Sequence, residues 1–305
     1  PLVWGVRHFS PDLASTLDAM GQGMRILVLG VPTTFLLLAA VFVPDFREQR
    51  AAVHLAPSAI LATARSTAVP VTLGEEETRP IQDRLSELRR TEGSIPAAFV
   101  GVTGERQGWL PDRERFDANR YFTVFNRLKP DPGHRLDYVF ESTGNGGRPL
   151  LYMRRESEAP FKESQAYRTR FPLSHTDLPY LREMGFEPSP SGHLQAVWYS
   201  IEAPQFYLHW HARYARLEVV CTRQHLERIL AGLPEPALSG KDRARAIALD
   251  PRPVVKTSAS AGEVSLLTFS PWGGFILATY GIVLPNRLLE LSKEVQVAYQ
   301  SHVRF

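Results

Sequence analysis

Residues Ile26 to Val43, ILVLGVPTTFLLLAAVFV, form a run of 18 residues without a charge. Arg25 bounds it on one side; Asp45, Arg47 and Glu48 bound it on the other. A helix rising about 1.5 Å per residue needs roughly 17 to 25 apolar residues to cross a bilayer core. The run reaches that length. Its only polar side chains, Thr33 and Thr34, can bond back to helix carbonyls, and Pro32 bends a transmembrane helix without forbidding it. A buried core helix usually keeps one polar face, and this run has none. A signal peptide has a shorter apolar core and a small-residue cleavage site. No Ala-x-Ala follows here, and Pro1 is what Met removal would leave, so the segment is expected to be an uncleaved anchor.

An anchor divides the chain into three parts. Residues 1–23 are a juxtamembrane segment, residues 24–45 the transmembrane anchor and residues 46–305 a soluble α+β domain. In the first part, SPDLASTLDAM reads as a short helix with Ser10 as N-cap and Pro11 at its first position. With Trp4 and Phe9 nearby, it suits the membrane surface or a partner subunit. In the anchor, Gly30, Pro32, Thr33 and Thr34 lie in one stretch, and small or polar residues permit close helix packing in lipid.

The whole chain is 44% hydrophobic and 22% charged, ordinary for a folded protein. Formal net charge is +3, and no Lys/Arg run reaches the density of a nucleic-acid tail. Cys221 is the only cysteine, which excludes an internal disulfide and a cysteine-based zinc or iron–sulfur site.

EEETRPIQDRLSELRR, within residues 75–92, predicts an amphipathic helix with Ile81, Leu85 and Leu88 on one face and acids leading arginines. IPAAFVGVT, RYFTVF and HRLDYVFES read as strands. TGNGG, Thr143 to Gly147, predicts a hairpin leading into RPLLYMRRE. HTDLPYLREMG reads as a short helix closed by Gly185. HLQAVWYSIE and QFYLHWHARYARLEVV read as long strands. TRQHLERILAG reads as a helix capped by Thr222, and residues 234–262 as a loop. Val264 to Leu284 carries no charge over 21 residues, so it suits either a second span or two strands joined at SPWGG; the strands are preferred. NRLLELSKEVQVAY reads as a closing helix. The expected fold is a mainly antiparallel sheet with flanking helices.

AAFVGVTGERQGWLP, Ala97 to Pro111, resembles the strand–turn–strand opening of extracytoplasmic Cache domains, which are PAS-like sensor modules. FSPWGGFILATYGIVLP, Phe269 to Pro285, resembles the closing hairpin of that family, with Trp272 near its turn. The resemblance implies a PAS-like sheet outside the cytoplasm. The family's ligand-binding Arg-x-x-Trp-Tyr has no counterpart, because RYFTVF, Arg120 to Phe125, carries no Trp.

No standard catalytic set is present. His209 and His211 are the nearest approach to a metal site: two residues apart on a strand, they would share a face. They lack a third-ligand motif, so no metal and no cofactor is expected. Ser174, His175 and Asp177 are adjacent in sequence, whereas a hydrolase triad is assembled from distant positions. Cys221 reads as a packed thiol, TGNGG lacks the residues of a phosphate loop, Glu75 to Glu77 read as a solvated helix start, and Arg154 and Arg155 read as a partner or lipid contact. The anchor carries no His to ligate a pigment.

The expected function is a non-catalytic accessory subunit of a multisubunit bacterial inner-membrane complex. Photosynthetic reaction centres and respiratory complexes supply the analogy. Its partners would be other membrane-protein subunits and the bilayer, with no nucleic acid. The contacts would run through Trp4, Phe9, Gly30, Pro32, Thr33 and Thr34, and the large domain would lie in the periplasm. A sensor ectodomain and a His-dependent metalloenzyme are the alternatives.

Overall fold

A computed structural model describes residues 68–100, 108–143, 146–172, 178–234, 237–258, 261–283 and 287–299. The expected N-terminal helix with Trp4 and Phe9, the expected anchor with Gly30, Pro32, Thr33 and Thr34, and Ser174, His175 and Asp177 lie outside the described residues. Among the described residues no helix is long and apolar enough to cross a membrane.

The helices are α1 (Glu75–Thr91), α2 (Ala97–Val100), α3 (Tyr121–Val124), α4 (Ser164–Arg170), α5 (Pro190–Glu202), α6 (Arg223–Gly232) and α7 (Gly240–Ile247). The strands are β1 (Val71–Thr72), β2 (Leu128–Pro130), β3 (His134–Thr143), β4 (Gly146–Arg155), β5 (Met184–Phe186), β6 (His209–Trp210), β7 (Glu218–Val220), β8 (Val254–Thr257), β9 (Ala261–Ser270), β10 (Gly274–Val283) and β11 (Arg287–Val297). The fold is α+β, and every strand pairing is antiparallel.

The main sheet runs β1-β8-β9-β10-β11, and β7 pairs with β9 beyond the end of β8. Val254–Thr257 lies along Gly262–Ser265, while Glu218–Val220 lies along Leu267–Phe269. Both faces of β9 are covered, whereas Leu277 of β10 and Val295 of β11 are exposed. Val264, Leu266, Ala278 and Tyr280 belong to the same core as Leu194, Val197 and Trp198 of α5. Leu267, Phe269 and Phe275 pack with Leu226 and Leu230 of α6 and Ala246 of α7. A strand buried on both faces reads as a continuous apolar run. That is why a membrane span stood as the alternative to two strands for Val264 to Leu284. Gly274 closes the β9–β10 turn at φ +79°, a conformation that costs glycine nothing.

Several elements follow the sequence directly. In α1, Ile81, Leu85 and Leu88 are buried, Glu75, Glu76 and Glu77 lead, and Arg89 and Arg90 trail. β3 and β4 form the hairpin that TGNGG predicts, with Thr143 opposite Gly146. Thr222 caps α6 by accepting from the His225 amide at 3.1 Å.

Others differ, each for a tertiary reason. HLQAVWYSIE is helix, not strand. Ser189 accepts from the Gly192 amide at 3.1 Å and Pro190 opens α5, the start expected of a helix. From Gly192 to Glu202 every residue is buried, so its many β-branched and aromatic residues reflect a core helix without a polar face. IPAAFVGVT begins with α2, where Phe99 stacks on Phe140 at 4.7 Å; residues 101–107 lie outside the described residues. Ala97–Val100 is therefore helix rather than strand, while β9 and β10 are the two strands expected around SPWGG. RYFTVF forms a 3-10 turn and α3, started by Asp117, which accepts from the Asn119 amide at 3.1 Å. HTDLPYLREMG is not a helix where it is described. Gly185 sits in β5, opposite Lys129 of β2. Within residues 234–262 lie α7, capped by Ser239, and β8. Within NRLLELSKEVQVAY, Arg287–Val297 is the edge strand β11: pairing with β10 overrides the helix preference of its Leu, Glu and Lys residues.

Candidate functional site

The stretch QFYLHWHARYARLEVV, expected as one strand, is broken into β6, a 3-10 helix at His211–Ala215, and β7. Gln205 holds the two ends of this loop together. Its Nε2 donates to the Ile201 and Leu217 carbonyls at 2.7 and 2.8 Å, and its Oε1 accepts from the Leu217 amide at 2.6 Å. Phe206 is buried edge-on to Tyr138 at 4.7 Å. The Tyr207 hydroxyl accepts from the Phe116 amide at 2.9 Å. Between these anchors the backbone takes positive φ at Tyr207 (52°) and Trp210 (48°). Bulky residues seldom adopt that region, and they keep it only where the surroundings enforce it. Gly146 lets β4 approach: a Cβ there would sit 2.9 Å from the His209 carbonyl oxygen.

The result is a strip of four rings. Trp210 and His211 lie 4.5 Å apart, His211 and Tyr214 5.8 Å, and Tyr214 stacks on Trp272 of the β9–β10 turn at 5.1 Å and 10°. Trp210 is 51% exposed and Trp272 39%. His209 and His211 do not share a strand face, because β6 ends at Trp210 and His211 opens the 3-10 helix. Among the described residues no group of three or more His, Cys, Asp or Glu could hold a metal ion.

The opposite side of the same loop, through Leu208, Ala212 and Ala215, walls a pocket of about 380 Å³. β4 supplies Arg148 to Leu151, and α4 and the residues after it supply Tyr167, Arg168 and Phe171. This size falls within the range of small-molecule sites.

Two buried charge clusters complete the picture. In the first, Asp137 is held between Arg115 and Arg154, each at 2.6 Å. Arg154, expected at a partner contact, thus belongs to an internal ion cluster, while Arg155 is exposed. In the second, Arg89 pairs with Glu202, His225 with Glu218 at 3.2 Å, and the Tyr121 hydroxyl donates to Glu92 at 3.3 Å. Burial pushes the Glu92 carboxyl up to about 7 against the opposing pull of Arg89 and Arg216. The His225 hydrogen bond holds Glu218 below its ordinary value. Nothing around Glu92 in the sequence marks it; its neighbours come from four separate segments.

Cys221 is fully buried, and burial raises its thiol far above the ordinary range. Glu75 is not merely solvated: it accepts from the Arg223 amide at 2.9 Å and pairs with Arg79. The aromatic strip was visible in sequence only as a local density of Trp, His and Tyr.

Comparison with protein-family models, with curated proteins and with solved structures returns no match.

Proposed function

We propose that this protein is a non-catalytic accessory subunit, tethered to a bacterial inner membrane through residues 26–43, whose α+β domain docks on another membrane-protein subunit through the Trp210–His211–Tyr214–Trp272 strip. The observation that carries this reading is the strip itself. Trp210 stands exposed on a loop held in an uncommon backbone conformation, and the exposed Trp272 of the β9–β10 turn stacks on Tyr214 of that loop. Trp, Tyr and Arg are the residues that dominate protein interfaces. A pre-set loop also spends little ordering entropy on association. The domain is placed in the periplasm, and an energy-converting complex is the setting by analogy with assemblies that carry such subunits.

Replacing Trp210 and Trp272 together by Ala is expected to leave the fold intact, since both rings are substantially exposed. It is expected to weaken association by roughly 30-fold or more, the effect of losing about 2 kcal/mol at an interface hot spot. Co-migration on native gels after gentle membrane extraction measures this. A double variant that migrates with the larger assembly as wild type does would overturn the docking surface. Release from the bilayer rather than from a protein complex would assign the strip to the membrane interface instead.

A further inference from the structure

We propose that the pocket beneath the 208–215 loop is an open sheet edge that receives a short extended peptide with uncharged, apolar side chains, added to β4 as a further strand. Arg148, Pro149, Leu150 and Leu151 all line the pocket. Successive residues of a strand point to opposite faces, so four in a row border one cavity only along the strand's edge. Hydrogen bonds fix which backbone groups lie on that edge. Leu136, Tyr138 and Phe140 of β3 turn theirs away from β4, to Asn119, Arg115 and Gly108. Their register partners Met153, Leu151 and Pro149 therefore turn theirs to the far edge of β4. Met153 shows it directly, donating to the Pro179 carbonyl at 3.1 Å.

Little of this edge is taken. β6 pairs only with Gly146 and Gly147 at one end, and Pro179 holds Met153 at the other. Residues 148–152 between them span about 17 Å at roughly 3.4 Å per residue. Pro149 has no N–H to leave unpaired, which suits an edge position. The Leu151 carbonyl accepts from the Tyr167 hydroxyl at 3.3 Å. The Pro149 carbonyl and the Leu151 amide have no partner among the described residues. An extended peptide answers both, with an N–H for the first and a C=O for the second, as in strand addition. A hydrocarbon in the same slot would leave them unpaired, which is costly. The side chains of the added strand meet carbon on both faces. Leu150 clusters with Tyr167 and Phe171, and Leu151 with Tyr180 and Leu178. A strand between two apolar faces carries apolar residues at consecutive positions. The two arginines lining the slot turn to the chain's own Glu141, Arg168 at 2.6 Å and Arg148 at 3.6 Å, so the slot does not call for an acidic guest.

The test uses the full chain in nanodiscs of zwitterionic lipid and a fluorescein-labelled peptide, Lys-Lys-Thr-Val-Ile-Val-Thr-Lys-Lys, followed by anisotropy with empty nanodiscs as the blank. Saturable binding above the blank is expected. Single N-methyl groups are then placed in turn on the central Thr-Val-Ile-Val-Thr residues. Only alternate N–H groups of an added strand face β4. N-methylation should therefore weaken binding at least tenfold at alternate positions and less than twofold at those between, the scale of one hydrogen bond lost to a buried acceptor. Replacing the central Ile of the peptide by Asp should also weaken binding at least tenfold. In the protein, Ala215→Trp enlarges a side chain at the exposed rim of the slot and should weaken binding by at least as much. If that variant fails to fold, the N-methyl series on wild type still decides. Binding no stronger than to empty nanodiscs, N-methyl groups that act alike at every position, or an Asp peptide that binds as well as the parent overturns the proposal.

Discussion

Asp137→Ala is expected to lower the unfolding free energy by about 3 to 5 kcal/mol, the range found when one partner of a buried ion pair is removed. Asp137 has no exposed side-chain surface, Arg115 has 3% and Arg154 has 10%. The carboxylate uses both oxygens. Oδ1 accepts from Arg115 and from the Tyr138 amide at 2.7 Å, and Oδ2 accepts from the Arg154 Nε. Arg115 is further fixed by donating to Asp112 at 2.8 Å and by lying 4.7 Å over the Tyr138 ring. Arg115 therefore cannot swing out to water without dismantling its packing at the start of β3, while Arg154 is tied by Nη1 to the Arg155, Glu156 and Glu158 carbonyls. Removing the carboxylate leaves two cations in a largely dry site, and on a typical stability of roughly 5 to 15 kcal/mol that is a large fraction. Chemical unfolding followed by tryptophan fluorescence reads it directly. A loss below about 1 kcal/mol would mean that the arginines find solvent, as they do in surface pairs. Asp137→Asn is expected to fall between, since it keeps the shape and one acceptor but loses the charge.

Glu92→Gln is expected to raise stability at pH 8 and to leave it nearly unchanged at pH 5. The folded carboxyl titrates at about 7, against an ordinary value of 4.5, because burial disfavours its charged form; Arg89, Arg216 and the Tyr121 hydroxyl offset only part of that, and the charge of Glu202 adds to it. For an acid whose folded value is raised, the folded state holds its proton to higher pH than the unfolded state. Its favourable contribution is complete below the unfolded value and is lost as pH rises through the folded one, so the window is about pH 4.5 to 7. At 1.36 kcal/mol per unit, and discounted for partial exposure, the effect is on the order of 2 kcal/mol. That corresponds to a rise in Tm of roughly 4 to 8 °C at pH 8 for a domain of this size. Glu218 acts in the opposite sense: its lowered value gives stability that is lost on acidification. The wild-type pH profile therefore mixes the two, and only the difference between variant and wild type isolates Glu92. A difference of equal size at pH 5 and pH 8 would show that the carboxyl is charged throughout.

Neither charge cluster was legible in the sequence. Arg115, Asp137 and Arg154 come from different segments, and Glu92 meets Tyr121, Arg89 and Arg216 only after α1 and α3 have packed near β7. A carboxyl's titration is set by distance and dielectric, which spacing along the chain does not carry.

What the sequence by itself determined are the elements with one wet face or a marked boundary. α1 shows its Ile81–Leu85–Leu88 stripe, the β3–β4 hairpin its TGNGG turn, α6 its Thr222 cap, and the β9–β10 hairpin its SPWGG break. Each of these signals is local, either a periodic contrast between water and core or a residue that the backbone geometry demands. The tertiary structure alone decided α5, which is buried on every side and so shows no period, and β11, whose helix-forming residues are held extended by β10. It also decided the loop at 206–217. The two positive φ angles there are imposed by the Gln205 clamp, the Phe206 anchor and the close approach of Gly146. That strain turns HWH from a supposed pair of ligands into one edge of an exposed aromatic strip, because it is enforced by contacts with segments distant in sequence.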